Sequence, residues 1–152
     1  MTRPGPLQLA VRRARGLPAA PPRHRLLRWA RAAWRDPRPG EVAVKLVGEA
    51  ESQALNARYR GRDRPTNVLA FGLDPPDALG LPRMGDLVIC VPVVLREAAE
   101  QGKSAEAHFA HMVVHGLLHL QGYDHIEEAE RLEMEALERH ILADLGFPDP
   151  YA

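Results

Sequence analysis

A chain of 152 residues, 45% apolar and 26% charged, is the size of one ordinary domain and can bury a core, which excludes global disorder. Its 20 basic and 20 acidic residues cancel unevenly, since residues 1–40 carry ten arginines against one acid, Asp36, and residues 105–152 carry ten acids against two arginines; a local basic face for a polyanionic partner is therefore compatible with a zero total. A single cysteine, Cys90, excludes a disulfide-stapled secreted domain and a cysteine-rich zinc module.

Taken in chain order, Leu7 to Val11 alternates weakly and predicts a short strand. A Pro-rich loop from Pro18 to Pro22 leads into an amphipathic helix, Arg23 to Arg35, with Leu26, Leu27, Ala30 and Trp34 at helical spacing. The run from Asp36 to Gly40 stops it. Glu41 to Val47 reads as a strand and Glu49 to Tyr59 as a helix. Arg60 to Thr66 is a charged loop ending in Pro65, which disfavours helix just before it. Val68 to Phe71 and Asp86 to Val91 are strand-like, separated by a Pro/Gly-rich excursion from Gly72 to Gly85. Pro92 opens a helix to about Gln101, and Gly102 ends it. Ser104 then caps a long helix to about Leu120. After a turn at Gln121 to His125, Glu127 to Leu145 forms the last helix, with Met134, Leu137, Ile141 and Leu145 in one stripe, ended by Gly146 and Pro148. Strands and helices intermix, so the expectation is a single α/β (α+β) domain over residues 1–152: a small mixed sheet of about four strands packed with about five helices. Its first 40 residues form a basic, Arg/Pro-rich part.

No targeting signal is legible, and the longest uncharged window, Ala107 to Tyr123, holds four histidines that a bilayer would penalise. A soluble, cytoplasmic protein without a membrane partner is expected.

Six of the seven histidines lie between residues 108 and 140. On the helix around His115, the residues Phe109, Met112, Val113, Gly116, Leu117 and Leu120 share one face, and His108, His111, His115 and His119 share another. The expectation is a helix that buries the first face and presents imidazoles on the second. His115 and His119 stand one turn apart, roughly 6 Å along the axis, and can reach one ion. Gly122 can turn the chain sharply, and His125 follows three residues later. Three neutral nitrogens without a thiolate favour zinc or a similar borderline metal, one ion per chain, with a coordination position left for water. His111 and His108 are expected as supporting or surface residues, since three successive helical turns span too far for one ion. His24 and His140 are expected at the surface.

The run from His115 to His125 has the spacing of the metzincin protease pattern, with Gly116 in place of the glutamate that acts there as general base. Peptide hydrolysis by that route lacks its proton acceptor. The cage is zincin-like, with a different catalytic apparatus.

His115-Gly-Leu-Leu-His-Leu-Gln-Gly-Tyr-Asp-His125 resembles the signature of the YbeY endoribonuclease family. The likeness extends to Leu55-Asn-Ala-Arg-Tyr-Arg60, Asp63-Arg-Pro-Thr-Asn-Val-Leu69, Phe71, Gly85-Asp-Leu-Val-Ile-Cys90 and Ala110-His-Met-Val-Val-His115. It covers residues 41–152 and departs at Ala70, where a serine is usual; residues 1–40 have no clear counterpart. The resemblance implies a zinc held by His115, His119 and His125. It also implies single-strand-specific cleavage of RNA, in maturation of the small-subunit ribosomal RNA 3′ end and in ribosome quality control. The implied partners are single-stranded RNA and the ribosomal small subunit.

Phosphodiester cleavage concentrates negative charge on non-bridging oxygens, which a metal ion and a facing guanidinium stabilise. Arg60, at the family's functional arginine, is the guanidinium expected here, against the alternative of a solvated basic loop paired with Asp63. Asp124, just before a ligand, is the candidate to orient an imidazole or the attacking water. Tyr123 and Asn67 are weaker candidates, and Cys90 reads as a packed small hydrophobe. Whether water or the ribose 2′-OH attacks phosphorus is left open by the residues. So are two other readings, a non-catalytic ribosome-assembly factor with structural zinc and another zinc hydrolase.

Overall fold

Alternating apolar and polar residues give Leu7–Arg13 (β1) and Gly40–Val47 (β2) one buried face each. With Val68–Leu73 (β3) and Arg83–Cys90 (β4) they form one sheet in the order β1-β2-β4-β3 in this computed structural model, which describes residues 3–73 and 79–152. β1 lies parallel to β2 and β2 parallel to β4, while β3 pairs antiparallel with β4. Five helices accompany the sheet: Arg23–Ala33 (α1), Glu49–Arg60 (α2), Val91–Gln101 (α3), Ala105–Leu120 (α4) and Glu128–Asp144 (α5). The expected mixed sheet of four strands with five helices is what forms, as one small α+β domain. No helix among the described residues is long and apolar enough to cross a membrane. Of the excursion from Gly72 to Gly85, residues 74–78 lie outside the described residues.

The two faces of the sheet are covered unequally. Leu7, Leu9, Val42, Val44, Leu46, Leu87 and Ile89 pack on one face in the main core, with Trp29 of α1, Phe109 and Leu117 of α4, and Ile141 of α5. On the other face, Val47, Leu69, Val88 and Cys90 join Val93 of α3 in a second, smaller core. The end of β4 therefore runs Leu87-Val88-Ile89-Cys90 without alternation, since both faces are covered there. Cys90 is fully buried, and desolvation pushes its thiol pKa up, in keeping with a packed hydrophobe.

Two boundaries differ from expectation for packing reasons. α1 stops at Ala33 rather than Arg35, because the Trp34 backbone is extended (φ −79°, ψ 115°). Its ring fills the space beside Gly40, where an added Cβ would meet it at 2.5 Å, and its Nε1 donates to the Arg38 carbonyl at 3.2 Å. β4 starts at Arg83 instead of Asp86, because Arg83 is already in register with Gly40 of β2 and Met84 with Leu73 of β3. Gly85 reads as a strand breaker in isolation. Here it gives room to the Leu120 side chain, 2.8 Å from where a Cβ would stand.

The ends of α1 and α4 are joined by Gln121. Its side-chain oxygen accepts from the Arg35 and Asp36 amides at 2.7 and 3.1 Å, and its Nε2 donates to the Ala33 and Leu117 carbonyls, both at 2.8 Å. The turn that leaves α4 is thereby anchored to the main core.

The one-sided helix expected around His115 needs correction. Eleven residues of α4 are buried, His108 and His111 among them at 3% and 7% exposure. The reason is that α3 and α5 close over the side opposite the sheet, each bringing a carboxylate for an imidazole. Glu97 of α3 meets His108 Nε2 at 2.9 Å, and Glu138 of α5 meets His111 Nε2 at 2.6 Å. Asn67 supports the first pair by donating to Glu97 at 3.0 Å. Desolvation lowers the His108 pKa despite the carboxylate beside it. His24 and His140 are exposed, as expected.

Candidate active site

His115 and His119 project from the last two turns of α4, their rings stacked with centroids 6.2 Å apart. α4 ends at Leu120, and Gly122 takes φ 97°, a conformation that side chains rarely adopt, so the chain doubles back. The return brings the His125 ring to 5.6 Å from His115 and 5.7 Å from His119. The three imidazoles form a near-equilateral triangle.

Two of the rings are held by their Nδ1 atoms. His119 Nδ1 lies 2.9 Å from the Tyr123 carbonyl oxygen, which can only accept, so Nδ1 carries a proton and Nε2 is the nitrogen left to face a metal. His115 Nδ1 lies 3.2 Å from Glu138 Oε2 and is fixed in the same sense. Desolvation, followed by the two neighbouring imidazoles, lowers the His125 pKa and favours its neutral form. Three neutral nitrogen donors of this kind fit a borderline divalent ion such as zinc. Asp124 also lies close: the ligand-capable atoms of His119, Asp124 and His125 fall within 4.8 Å of one another, a tighter set to which His115 does not belong. Asp124 Oδ1 accepts from the His125 amide at 2.6 Å, which pins the bend.

Glu138 is the residue that sequence reading missed. It is 1% exposed, and its carboxylate holds His111 at 2.6 Å, His115 at 3.2 Å and the Tyr151 hydroxyl at 2.8 Å. Burial works to raise its pKa, but the hydrogen bonds from His111 and His115 outweigh burial and hold it at about 2. Burial, with the Glu138 charge, pushes the Tyr151 pKa up in turn. The signal was present: Glu138 stands between Met134 and Ile141, an acid inside an apolar stripe. A buried carboxylate that orients a ligand imidazole raises the affinity of the site it supports. Glu138→Gln, which keeps the shape and removes the charge, is expected to weaken zinc binding roughly 10- to 100-fold, read by competition with a chromogenic chelator. Unchanged affinity in a folded variant would show that the carboxylate serves packing alone.

Arg60 lines, with His115, His119 and His125, a cavity of about 360 Å³ whose other walls are Tyr59, residues 68–71 of β3 and Gly116. It is the last residue of α2, and Gly61 at φ 69° closes that helix, leaving the Arg60 side chain free of a capping duty. Among the described residues it makes no hydrogen bond or ion pair. Asp63, the alternative partner, accepts instead from Gln53 Nε2 at 3.0 Å. The loop that follows is tied to α2 by Ser52 Oγ donating to the Thr66 carbonyl at 3.0 Å and Asn56 Nδ2 donating to the Arg64 carbonyl at 2.8 Å.

Gly116 has a packing reason. A Cβ there would come within 2.2 Å of Leu87 Cδ1, and Leu87 is itself fully buried, so a side chain at position 116 requires Leu87 to shift. A zincin glutamate there would have to displace it. Gly116→Ala is expected to destabilise the fold by roughly 1–3 kcal/mol through overpacking, measured by urea unfolding. A change below about 0.5 kcal/mol would mean that Leu87 yields freely.

The family profile described as Endoribonuclease YbeY matches residues 24–146, so the match begins inside the basic N-terminal part. A protein named Endoribonuclease YbeY from Stutzerimonas stutzeri (strain A1501) is 59% identical over 137 residues, 88% of this chain and 85% of that one. One of the same name from Pseudomonas putida KT2440 is 56% identical over 148 residues, 96% and 94% of the two chains. Another, from Azoarcus sp. (strain BH72), is 57% identical over 138 residues, 88% of this chain and 54% of that one. The solution structure of TM1509 from Thermotoga maritima superposes with a TM-score of 0.54 at 25% identity, covering 91% of this chain and 92% of the other.

Proposed function

Because the chain belongs to the YbeY endoribonuclease family, we propose that it is a zinc-dependent, single-strand-specific endoribonuclease. Its proposed work is to mature the 3′ end of small-subunit ribosomal RNA and to serve ribosome quality control in the cytoplasm. The observation that carries this reading is one cavity shared by Arg60 and three histidines, two of them oriented through Nδ1. His115, His119 and His125 would hold the zinc, which supplies Lewis acidity toward a phosphate when bound.

The chain's own groups do the remaining work. The Arg60 guanidinium binds non-bridging oxygens of the scissile phosphate and offsets the charge that builds there. With glycine at position 116, the carboxylate beside His119 and His125 is that of Asp124. Its Oδ1 is engaged by the His125 amide, and Oδ2 is the proposed acceptor for the proton of the attacking hydroxyl. Val68, Leu69 and Phe71 give the cavity an apolar wall that strengthens these charged contacts.

One observation favours a second reading. Asp124 sits near enough to His119 and His125 to close a metal shell with protein atoms, as a structural zinc in a non-catalytic assembly factor would need. The assay that separates the two uses purified, zinc-loaded protein with one RNA sequence in single-stranded and duplexed form. Cleavage of the single strand alone, abolished by chelation and restored by zinc, is expected, with casein left intact. Stoichiometric zinc without RNA cleavage would support the assembly factor, and chelator-sensitive proteolysis would support another zinc hydrolase.

A further inference from the structure

Tyr59 is a large aromatic side chain, 55% exposed, at the end of α2 and next in sequence to Arg60. Its ring leans on Phe71 of β3, with centroids 5.0 Å apart and planes tilted by 59°. Exposed Arg58 extends its guanidinium over the Tyr59 ring, 5.3 Å from the centroid. Tyr59, Phe71, Arg60 and the three histidines all line the same cavity. An exposed ring of this size is not filling the core. It is braced from the sheet by Phe71 and stands at the mouth of the cavity that Arg60 and the histidines share.

We propose that Tyr59, braced by Phe71, is a nucleobase subsite that stacks an unpaired base of the nucleotide flanking the phosphate held by Arg60. The proposal rests on the nuclease reading above and adds to it the group that selects single strands. Bases in a duplex are stacked on both faces and paired along their edges, whereas a splayed base can lie against an aromatic ring. Arg58 occupies that ring by a cation–π contact, which is weak at an exposed site, so an incoming base can displace it and leave the guanidinium beside the RNA backbone. The subsite is indifferent to sequence, because every base has a π-face.

The test uses the full chain and a fluorescent, single-stranded 2′-O-methyl oligoribonucleotide, with a gel beside each titration to show that the probe stays intact. Tyr59→Ala is expected to weaken binding about tenfold, within the range that stacking of one base supports. Tyr59→Phe keeps the ring and is expected to bind within about twofold of the parent chain. An abasic oligonucleotide series should show one position whose base matters to the parent chain and not to Tyr59→Ala. With cleavable RNA, KM should rise in Tyr59→Ala while kcat at saturation and zinc content stay near the parent values. Equal binding by Tyr59→Ala and the parent chain, or loss of binding in Tyr59→Phe equal to that in Tyr59→Ala, would overturn the subsite. If the parent chain cuts no RNA but its binding still depends on the ring at position 59, the nuclease reading fails and the subsite stands. If it cuts RNA with no such dependence, the reverse holds.

Discussion

Arg60→Ala is expected to lower kcat for single-stranded RNA by roughly 10²- to 10³-fold, the cost of losing one charged donor aimed at a transition-state oxyanion. Zinc content and unfolding midpoint should stay unchanged. The separation is possible because Arg60 has no structural duty: Gly61 ends α2, Asp63 is engaged by Gln53, and Arg60 pairs with none of the described residues. Arg60→Lys is expected to recover part of the loss, since an ammonium supplies the charge without the planar fork that binds two oxygens at once. Full activity in a folded, zinc-loaded Arg60→Ala variant would remove the guanidinium from the mechanism and leave the basic loop as a solvated surface.

Removing a ligand imidazole is expected to abolish cleavage, but the histidines should differ in what else they cost. His125 is exposed, and among the described residues its ring has no hydrogen bond, standing near the other two rings and Asp124. His125→Ala is expected to lose stoichiometric zinc while changing metal-free stability by less than about 0.5 kcal/mol. His115 is tied through Nδ1 to a carboxylate that is 1% exposed. His115→Ala strips Glu138 Oε2 of its imidazole partner inside the protein, so a metal-free loss of about 1–3 kcal/mol is expected besides the loss of zinc. Denaturant unfolding of the metal-free variants, with zinc measured separately, distinguishes the two effects. Equal metal-free stability in both would mean that Glu138 is satisfied by His111 and Tyr151 alone.

The parts of the site that were legible in the sequence are those set by local chain geometry. The four-residue spacing of His115 and His119, and the need for glycine at a positive φ before His125, both follow from helix pitch and steric limits over eleven residues. The charged segment around Arg60 was visible, whereas its sharing of one cavity with the histidines and residues 68–71 of β3 is a matter of tertiary packing. No local pattern encodes that. The same holds for α4. Its wheel separates apolar residues from imidazoles, and the imidazole side reads as exposed until α3 and α5 supply Glu97 and Glu138 from 11 and 27 residues away. Glu138 was the recoverable case, an acid where the stripe called for an apolar residue. Gln121 was not, because its partners at Ala33, Arg35 and Asp36 lie some 85 residues away in sequence. The strand boundary at Arg83 was likewise decided by pairing with β2 and β3, not by propensity, with glycine at position 85 arguing locally against a strand.

In the proposed site three histidines share one ion and leave it open to substrate. Anomalous diffraction at the zinc edge, on crystals of the zinc-loaded protein, locates that ion. The expected map has a single peak within bonding distance of His115, His119 and His125, about 2.0–2.1 Å from each nitrogen, with the Asp124 carboxylate outside that shell and one side facing Arg60. A peak held by His119, Asp124 and His125 without His115, or an ion enclosed by four protein atoms, would contradict it.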